Sequence, residues 1–450
     1  MNKLVFSKSS FLNIYYFLLI YGLIYSFSES ILIGFTKDSW NITEFLINYE
    51  GGFVRRGLLG EVIFDLYQYF GINPYHTILF ISISAFVLFN WFFIKTFIKQ
   101  GYPLFILPFN FFLGNSVVNG FWLRKDILIV SIFILTIYFA LKKSRWNLII
   151  SNLILISGLL IHEGIGFFCF PVLLLLLYDK NRRVSQNTVS KSILFSFSQI
   201  IPAIITFLIV LYFKGSKEIA SQIWNSWKSI PFPFQDASNF VQPPNALDGI
   251  SWSFKQGISF TQTKILEQFD HGIYAPVAWL ITLLLIYYIL TNLSKLNVNI
   301  LKLKTSTNFD KTRISAILIF QFISIAPLFI IGADYGRWIF YWVTSSFALI
   351  LLIPGDMVYS MIPRIISDIG IKINLALDVL LGKVSIILLC LLVAFPHFSW
   401  TLGACIKSHS FYTILHAFGL IGVYNGSLLL LGKSRSEEHT SELQSHHDIV

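Results

Sequence analysis

The chain has 450 residues, of which 55% are hydrophobic and 12% are charged, and its formal net charge is +10. Soluble domains carry about 25% charged residues, so this composition excludes an ordinary water-soluble enzyme. Lysines and arginines collect in alternate loops between long apolar runs, and this distribution explains the positive charge without a nucleic-acid partner. The composition therefore predicts an all-α, polytopic membrane protein with membrane lipid around it.

Apolar runs bounded by charges predict a helical bundle of about 10–12 transmembrane spans in a single domain, residues 1–434. The runs cover residues 11–28, 76–94, 102–119, 127–141, 147–161, 164–178, 192–213, 273–293, 314–332, 338–354, 384–400 and 411–431. The pieces around Pro103 and Pro108 are equally consistent with broken or re-entrant helices, as are those on either side of His162. The excess of lysine and arginine in the loops predicts a cytoplasmic N-terminus. The stretch RSEEHTSELQS resembles a translated sequencing adapter, so residues 435–450 are set aside as a non-native tail.

The first predicted outer loop, residues 29–75, contains the polar stretch NYEGGFVRRGLLGE. It places Glu50, Arg55 and Arg56 beside two glycines, which let a backbone turn sharply and approach a ligand. Over residues 58–70, apolar side chains occupy one side of a helix, and acidic and amide side chains recur on another. This pattern predicts an amphipathic helix that lies at the membrane surface.

Two further polar clusters fall on the same predicted outer side. In WLRKD, Arg124 and Lys125 start an apolar run. They either mark the membrane interface, with Asp126 favourably placed at the positive N-terminus of a helix, or bind an anion. In DYGRW, Asp334 and Arg337 are three residues apart, which suits a local salt bridge on a helix. The planar guanidinium of Arg337 is equally suited to binding phosphate.

A third cluster, HEG, places His162 and Glu163 between two short apolar runs, where they form either a simple polar turn or part of a functional site. Adjacent residues point about 100° apart on a helix, so this pair cannot form the two-ligand face of an H-E-x-x-H motif. No metal site is predicted, and dependence on a divalent cation stays open.

The long predicted outer loop, residues 214–272, is rich in aromatic residues and proline. Its aromatic side chains either belong to the interfacial belt of the membrane or stack against sugar rings. Loops of this length without a regular pattern are usually functional lids or disordered segments.

The sequence contains no D-x-D motif and no ATP-binding module, and GSLLLLGKS has five residues between its glycines where a phosphate loop requires four. Polar groups at the outer face without a nucleotide motif favour a lipid-linked substrate. Cationic residues would clamp the phosphate or diphosphate of a polyprenyl carrier, and a carboxylate or imidazole would act as base. The candidates for phosphate binding are Arg55, Arg56, Arg124, Lys125 and Arg337. The catalytic candidates are Glu50, His162, Glu163 and Asp334.

With these motifs, the layout resembles the lipid-dependent membrane glycosyltransferases of the GT-C type. The stretch YEGGFVRRGLLGE, with RKD, HEG and DYGRW, is similar to bacterial membrane proteins of surface-polysaccharide assembly, including O-antigen and capsule repeat-unit polymerases. The resemblance implies saccharide transfer from an undecaprenyl (di)phosphate donor at the periplasmic face of the inner membrane, beside other polysaccharide-assembly proteins. It also compares Glu50 with the catalytic carboxylate of the family. That family often has an acidic pair at this position, whereas here the neighbours of Glu50 are glycines.

The competing class is a transporter or flippase of lipid-linked saccharides without transfer activity. Such proteins commonly show internal repeats and charges near the middle of the membrane. The two halves of this chain show no convincing repeat, and its charges lie at one predicted face. These features favour an enzyme.

Overall fold

The computed structural model describes residues 34–118, 121–142, 144–185, 188–233, 242–270, 274–296, 310–395 and 408–420, with scattered positions between 17 and 32. In this part of the chain the regular structure is helical throughout, as predicted. The helices are α1 (Trp40–Thr43), α2 (Gly57–Phe70), α3 (Pro74–Gln100), α4 (Asn115–Val118), α5 (Lys125–Leu141), α6 (Arg145–Ile161), α7 (Gly164–Ser185), α8 (Val189–Ser198), α9 (Ile201–Tyr212), α10 (Lys217–Lys228), α11 (Ala246–Gly249), α12 (Phe254–Asp270), α13 (Tyr274–Thr291), α14 (Lys311–Ile331), α15 (Tyr335–Leu352), α16 (Gly355–Met361), α17 (Arg364–Leu381), α18 (Ile386–Leu392) and α19 (Ser410–Ala417). Short 3₁₀ turns cover Leu104–Ile106, Phe121–Leu123 and Leu293–Leu296.

Three described helices are long and apolar enough to cross a membrane: α3, α7 and α14. Three further pairs meet this criterion together but are bent, α8 with α9 by 60°, α15 with α16 by 117° and α17 with α18 by 95°. The described chain therefore contains 3 helices able to span a membrane by length and composition, or up to 6 if each bent pair is one span.

Helix α5 lies at the centre of the bundle, where it packs against α3, α6, α7 and α15. Its side chains are buried on most sides, as expected for a helix that is apolar all round. Helix α14 packs against α7, α15 and α17 and extends this core. The first residues of α5 are charged, so its central position carries those charges into the interior at one end of the bundle.

Local sequence signals account for the ends of the long helices. Asn73 caps α3, because its side-chain oxygen accepts hydrogen bonds from the backbone N–H groups of Tyr75 and His76, and Pro74 occupies the first helical position. The helix ends at Gly101, which adopts a left-handed conformation with φ 72°. Asp310 caps α14 in the same way through the N–H groups of Thr312 and Arg313.

Several predicted spans differ from the structure. Residues 102–119 do not form one helix; a 3₁₀ turn, further turns and α4 replace it, because Pro103 and Pro108 lack the backbone N–H that a continuous helix needs. The run 192–213 is divided at residues 199–200 into α8 and α9. Helix α18 ends at Leu392 and α19 at Ala417, short of the predicted ends. Most of the run 11–28, the end of the last run and the tail 435–450 lie outside the described residues.

Helix α2 is the predicted amphipathic helix. It buries Leu59, Ile63 and Phe64, while Asp65 and Tyr69 are exposed on other sides. A close approach of backbones seats it on the preceding segment, because an added Cβ on Gly60 would lie 1.9 Å from the carbonyl oxygen of Ile47. Its location at a membrane surface stays a prediction.

The segment predicted as a long loop, residues 214–272, is largely helical, since it contains α10, α11 and α12. Trp224 and Trp227 belong to α10 and are buried, and the Trp227 indole N–H donates to the Leu46 carbonyl oxygen at 2.8 Å. These two tryptophans therefore serve neither an interfacial belt nor a sugar-stacking surface. Their burial follows from the amphipathic period of α10, which places Ala220, Ile223, Trp224 and Trp227 on one buried side.

Candidate functional site

Polar residues from five separate segments meet at one end of the bundle. One member follows α1, two precede α2, three begin α5, two lie between α6 and α7, and two begin α15. We call this group the charged cluster. Its members are Glu44, Arg55, Arg56, Arg124, Lys125, Asp126, His162, Glu163, Asp334 and Arg337.

One part of the charged cluster joins the segment before α2 to the turn before α7. The Arg56 guanidinium binds the Glu163 carboxylate bidentately, through Nε at 2.9 Å and Nη2 at 2.6 Å. Arg55 Nη1 lies 3.6 Å from the same carboxylate. Arg56 precedes α2 with φ 68°, a left-handed conformation that costs a non-glycine residue about 1–3 kcal/mol. The bidentate bond helps to hold this strained residue in place.

A second part of the charged cluster surrounds Arg337. Its guanidinium lies 2.8 Å from Asp126, 2.9 Å from Asp334 and 3.4 Å from Glu44. Arg124 binds Glu44 at 2.5 Å, and the Tyr341 hydroxyl donates to Asp126. The local pair between Asp334 and Arg337 that their spacing predicted is present, but it is only one of three ion pairs that Arg337 makes.

Lys125 and His162 are buried, as Arg124 and Arg337 are. They differ from the arginines because neither has a carboxylate partner among the described residues. Lys125 is 1% exposed, and its ammonium donates to the Arg56 carbonyl oxygen at 3.2 Å. His162 is 3% exposed, and its Nδ1 accepts a hydrogen bond from the Gly164 N–H at 3.0 Å. A neutral imidazole that accepts at Nδ1 carries its proton on Nε2. This Nε2 is buried and has no hydrogen-bond partner in the described part of the chain.

Three members of the charged cluster that lie outside the long helices have shifted pKa values, namely Glu44, His162 and Glu163. Burial alone would raise the pKa of Glu163, but Arg56, His162 and Arg55 hold it well below the usual range. For Glu44, Arg124 and Arg337 outweigh burial in the same way and lower its pKa. Burial and the positive charge of Arg56 lower the pKa of His162 well below its usual value. Both carboxylates are therefore ionised and weakly basic, and the imidazole is neutral.

Three ion-paired side chains of the charged cluster are appreciably exposed to solvent, and we call them the rim. The side chains of Arg55, Arg56 and Asp334 are 22%, 25% and 33% exposed, whereas the other ion-paired members are nearly inaccessible. The backbone N–H of Arg55 donates to Phe213 at 2.9 Å, so the rim is tied to the segment after α9. A molecule that approaches from outside first meets these three residues, two cations and one carboxylate.

The structure brings together all the predicted site residues except Glu50. Glu50 is exposed, and its backbone N–H donates to the Asn48 side chain at 3.3 Å. Among the described residues, no ion pair joins the Glu50 carboxylate to the charged cluster. The structure therefore leaves Glu50 outside the ion pairs of the charged cluster, and the sequence does not show on which side of its loop the carboxylate lies.

Sequence reasoning missed Glu44, which binds two arginines, and treated Asp126 only as a favourable residue at a helix start. A signal for Glu44 was available, because it is an ionisable residue between the apolar residues Ile42 and Phe45. The buried position of Asp126 follows from the central location of α5, which only the packing reveals.

Among the described residues, no three His, Cys, Asp or Glu side chains are grouped so that they could hold a metal ion. Comparison with known proteins finds no matching family model, no matching curated protein and no matching solved structure. The contacts within the charged cluster are therefore the basis for any functional conclusion.

Proposed function

We propose that this protein is a membrane enzyme that transfers or polymerises saccharide units from a polyprenyl (di)phosphate donor during surface-polysaccharide synthesis. In this proposal, a GT-C-like domain of about 10–12 spans over residues 1–434 lies in the bacterial inner membrane, with the charged cluster at its extracytoplasmic face. The supporting observation is that the charged cluster contains five cationic side chains and four carboxylates at one closed end of the bundle.

The excess of positive charge favours an anionic substrate. A buried charge without a counter-ion is costly, so a site with one surplus cation gains stability when an anion binds. In glycosyl transfer from a phosphate carrier, negative charge develops on the departing phosphate, and fixed cations stabilise it. Arg55 and Arg56 on the rim are suited to the first contact, because the planar guanidinium matches the geometry of phosphate.

The position of the charged cluster supports a lipid-linked donor. The cluster lies where α5, α7 and α15 begin, and α7 is one of the described helices that are long and apolar enough to reach across hydrocarbon. In this proposal the phosphate of a polyprenyl carrier sits at the same level, because its chain occupies the adjoining lipid.

We assign the role of base to Asp334 rather than to the other catalytic candidates. Its carboxylate is the most exposed in the charged cluster, at 33%, and Arg337 binds only one of its oxygens among the described residues. Glu163 is held by two arginines, and neutral His162 presents a donor rather than an acceptor at Nε2. Glu50 stays as the alternative base, because its exposed carboxylate is free to meet an acceptor sugar.

The experiment complements a strain that lacks the gene with Arg55→Gln, Arg56→Gln and Asp334→Asn. We expect each rim variant to reach the membrane at the wild-type level but to lose polysaccharide extension and to accumulate lipid-linked saccharide at the outer face. Arg183→Gln is the matched control, since Arg183 pairs with Asp179 at 2.8 Å at the opposite end of α7. Full complementation by all three rim variants would refute the enzyme. Accumulation at the inner face would instead identify a flippase.

A further inference from the structure

The four arginines of the charged cluster are already bound by carboxylates of the protein. The shortest distances to a carboxylate oxygen are 3.6 Å for Arg55, 2.6 Å for Arg56, 2.5 Å for Arg124 and 2.8 Å for Arg337. An arginine that binds an internal carboxylate must give up that partner before it can bind a phosphate fully. Lys125 has no such partner among the described residues, so its ammonium is the surplus cation.

Lys125 and His162 are linked through Arg56 and Glu163. The Lys125 ammonium donates to the backbone oxygen of Arg56, and the Arg56 side chain binds Glu163, the neighbour of His162 in the chain. Glu44, Arg56, Glu163 and Arg337 act electrostatically on both Lys125 and His162. Two buried donors therefore belong to one network of charges.

Neither donor is satisfied by the described residues. The ammonium has three N–H groups and makes one hydrogen bond there, while the His162 Nε2–H makes none. Buried donors without acceptors are rare in folded proteins because burial removes their hydrogen bonds to water. An anion with several oxygens would satisfy both donors and would neutralise the surplus charge.

We propose that Lys125 and His162 form the inner phosphate site of this protein, in which phosphate oxygens accept from the Lys125 ammonium and the His162 Nε2–H. In this assignment the four arginines position the walls of the site through their ion pairs, and Arg55 and Arg56 line the entrance. The inference rests on the proposed function only in taking the phosphate to be that of a lipid-linked donor. A free diphosphate presents the same chemistry.

The test measures phosphate binding by the purified full-length chain in nanodiscs. The probes are inorganic diphosphate and a polyprenyl phosphate, and the readout is the dissociation constant. We expect Lys125→Met and His162→Phe each to weaken binding at least about tenfold, since each removes a hydrogen bond to a charged acceptor. Lys125→Arg keeps the charge and should stay within about threefold of wild type. Lys295→Met is the matched control, because Lys295 pairs with Asp378 at 3.0 Å elsewhere and its loss should leave the affinity unchanged.

A second measurement covers the case in which Lys125→Met does not fold. In wild-type protein labelled with ¹⁵N-histidine, diphosphate or polyprenyl phosphate should shift one Nε2 resonance, and that resonance should be absent from His162→Phe. If neither probe shifts it, or if both single variants bind as wild type does, the assignment is overturned. Binding of both probes identifies the phosphate group itself as the ligand, and binding of the polyprenyl phosphate alone identifies the lipid headgroup.

Failure of this inference can be distinguished from failure of the proposed function. Phosphate binding that depends on Lys125 and His162, in a protein whose rim variants all support normal polysaccharide extension, would leave the inner site standing and refute the enzyme. Wild-type polysaccharide extension and phosphate binding by both Lys125→Met and His162→Phe would refute the inner site alone.

Discussion

The ion pair between Glu44 and Arg124 should be strongly coupled energetically. Arg124 Nη2 lies 2.5 Å from Glu44 Oε1, and the two side chains are 4% and 2% exposed. Removal of one member of such a pair leaves a buried charge without its partner, which costs about 3–5 kcal/mol. We therefore expect Glu44→Met and Arg124→Met each to lower the free energy of unfolding by about that amount. Both losses should lie at the lower end, because Arg337 remains 3.4 Å from Glu44 and Asp126 remains 3.8 Å from Arg124.

The double variant decides whether the effect belongs to the pair. With both charges replaced by apolar side chains no lone charge from the pair remains, and Arg337 keeps Asp126 and Asp334 as partners. The double variant should therefore be more stable than the sum of the single losses predicts, by about 3 kcal/mol. The assay is reversible unfolding in mixed micelles, followed by tryptophan fluorescence.

The control cycle uses Asp179 and Arg183, a pair at 2.8 Å in which the arginine side chain is 45% exposed. The Asp179 side chain is 6% exposed, but solvent screens the exposed Arg183 guanidinium, so the coupling energy of this pair should be smaller than that of Glu44 and Arg124. If the Glu44 and Arg124 losses simply add, or if the two cycles give equal coupling energies, the view that burial makes the charged cluster cooperative is wrong.

Two further predictions concern the pH dependence and the backbone packing. Because the pKa of His162 is lowered in the folded state, the unfolded chain binds more protons below pH 6.5, and stability should decline as the pH falls from there. The stability of His162→Gln should therefore improve relative to wild type by about 1–2 kcal/mol between pH 7 and pH 5, and a difference that does not vary with pH would contradict this. An added Cβ on Gly60 would lie 1.9 Å from the Ile47 carbonyl oxygen, so Gly60→Ala should lower the unfolding free energy by about 3 kcal/mol. Gly257→Ala, whose Cβ would meet nothing within 4 Å, should change it by less than about 1 kcal/mol in the same assay, and equal effects would show that the contact is relieved without cost.

Local signals were sufficient to predict several elements of the fold. The sequence in and beside α3 contains the signals for its ends: Asn73 caps it, Pro74 is its first residue and Gly101 follows its last. Its apolar length indicates a span. The amphipathic period over residues 58–70 likewise predicted α2 closely. These features depend on neighbours within one or two turns of the chain, so one sequence is enough to recognise them.

The sequence by itself also determined which residue types could form a site, because arginines, carboxylates and a histidine are rare between its apolar runs. Only the tertiary structure decided how they are used. The packing leaves Glu50 exposed and outside the charged cluster, and it brings Glu44 into that cluster. It also buries Asp126 at the start of the central helix. It gives each arginine of the charged cluster a carboxylate and leaves Lys125 and His162 without one among the described residues. Which charged side chains pair in a low-dielectric interior depends on distances between segments that are far apart in the chain. No local sequence pattern encodes those distances.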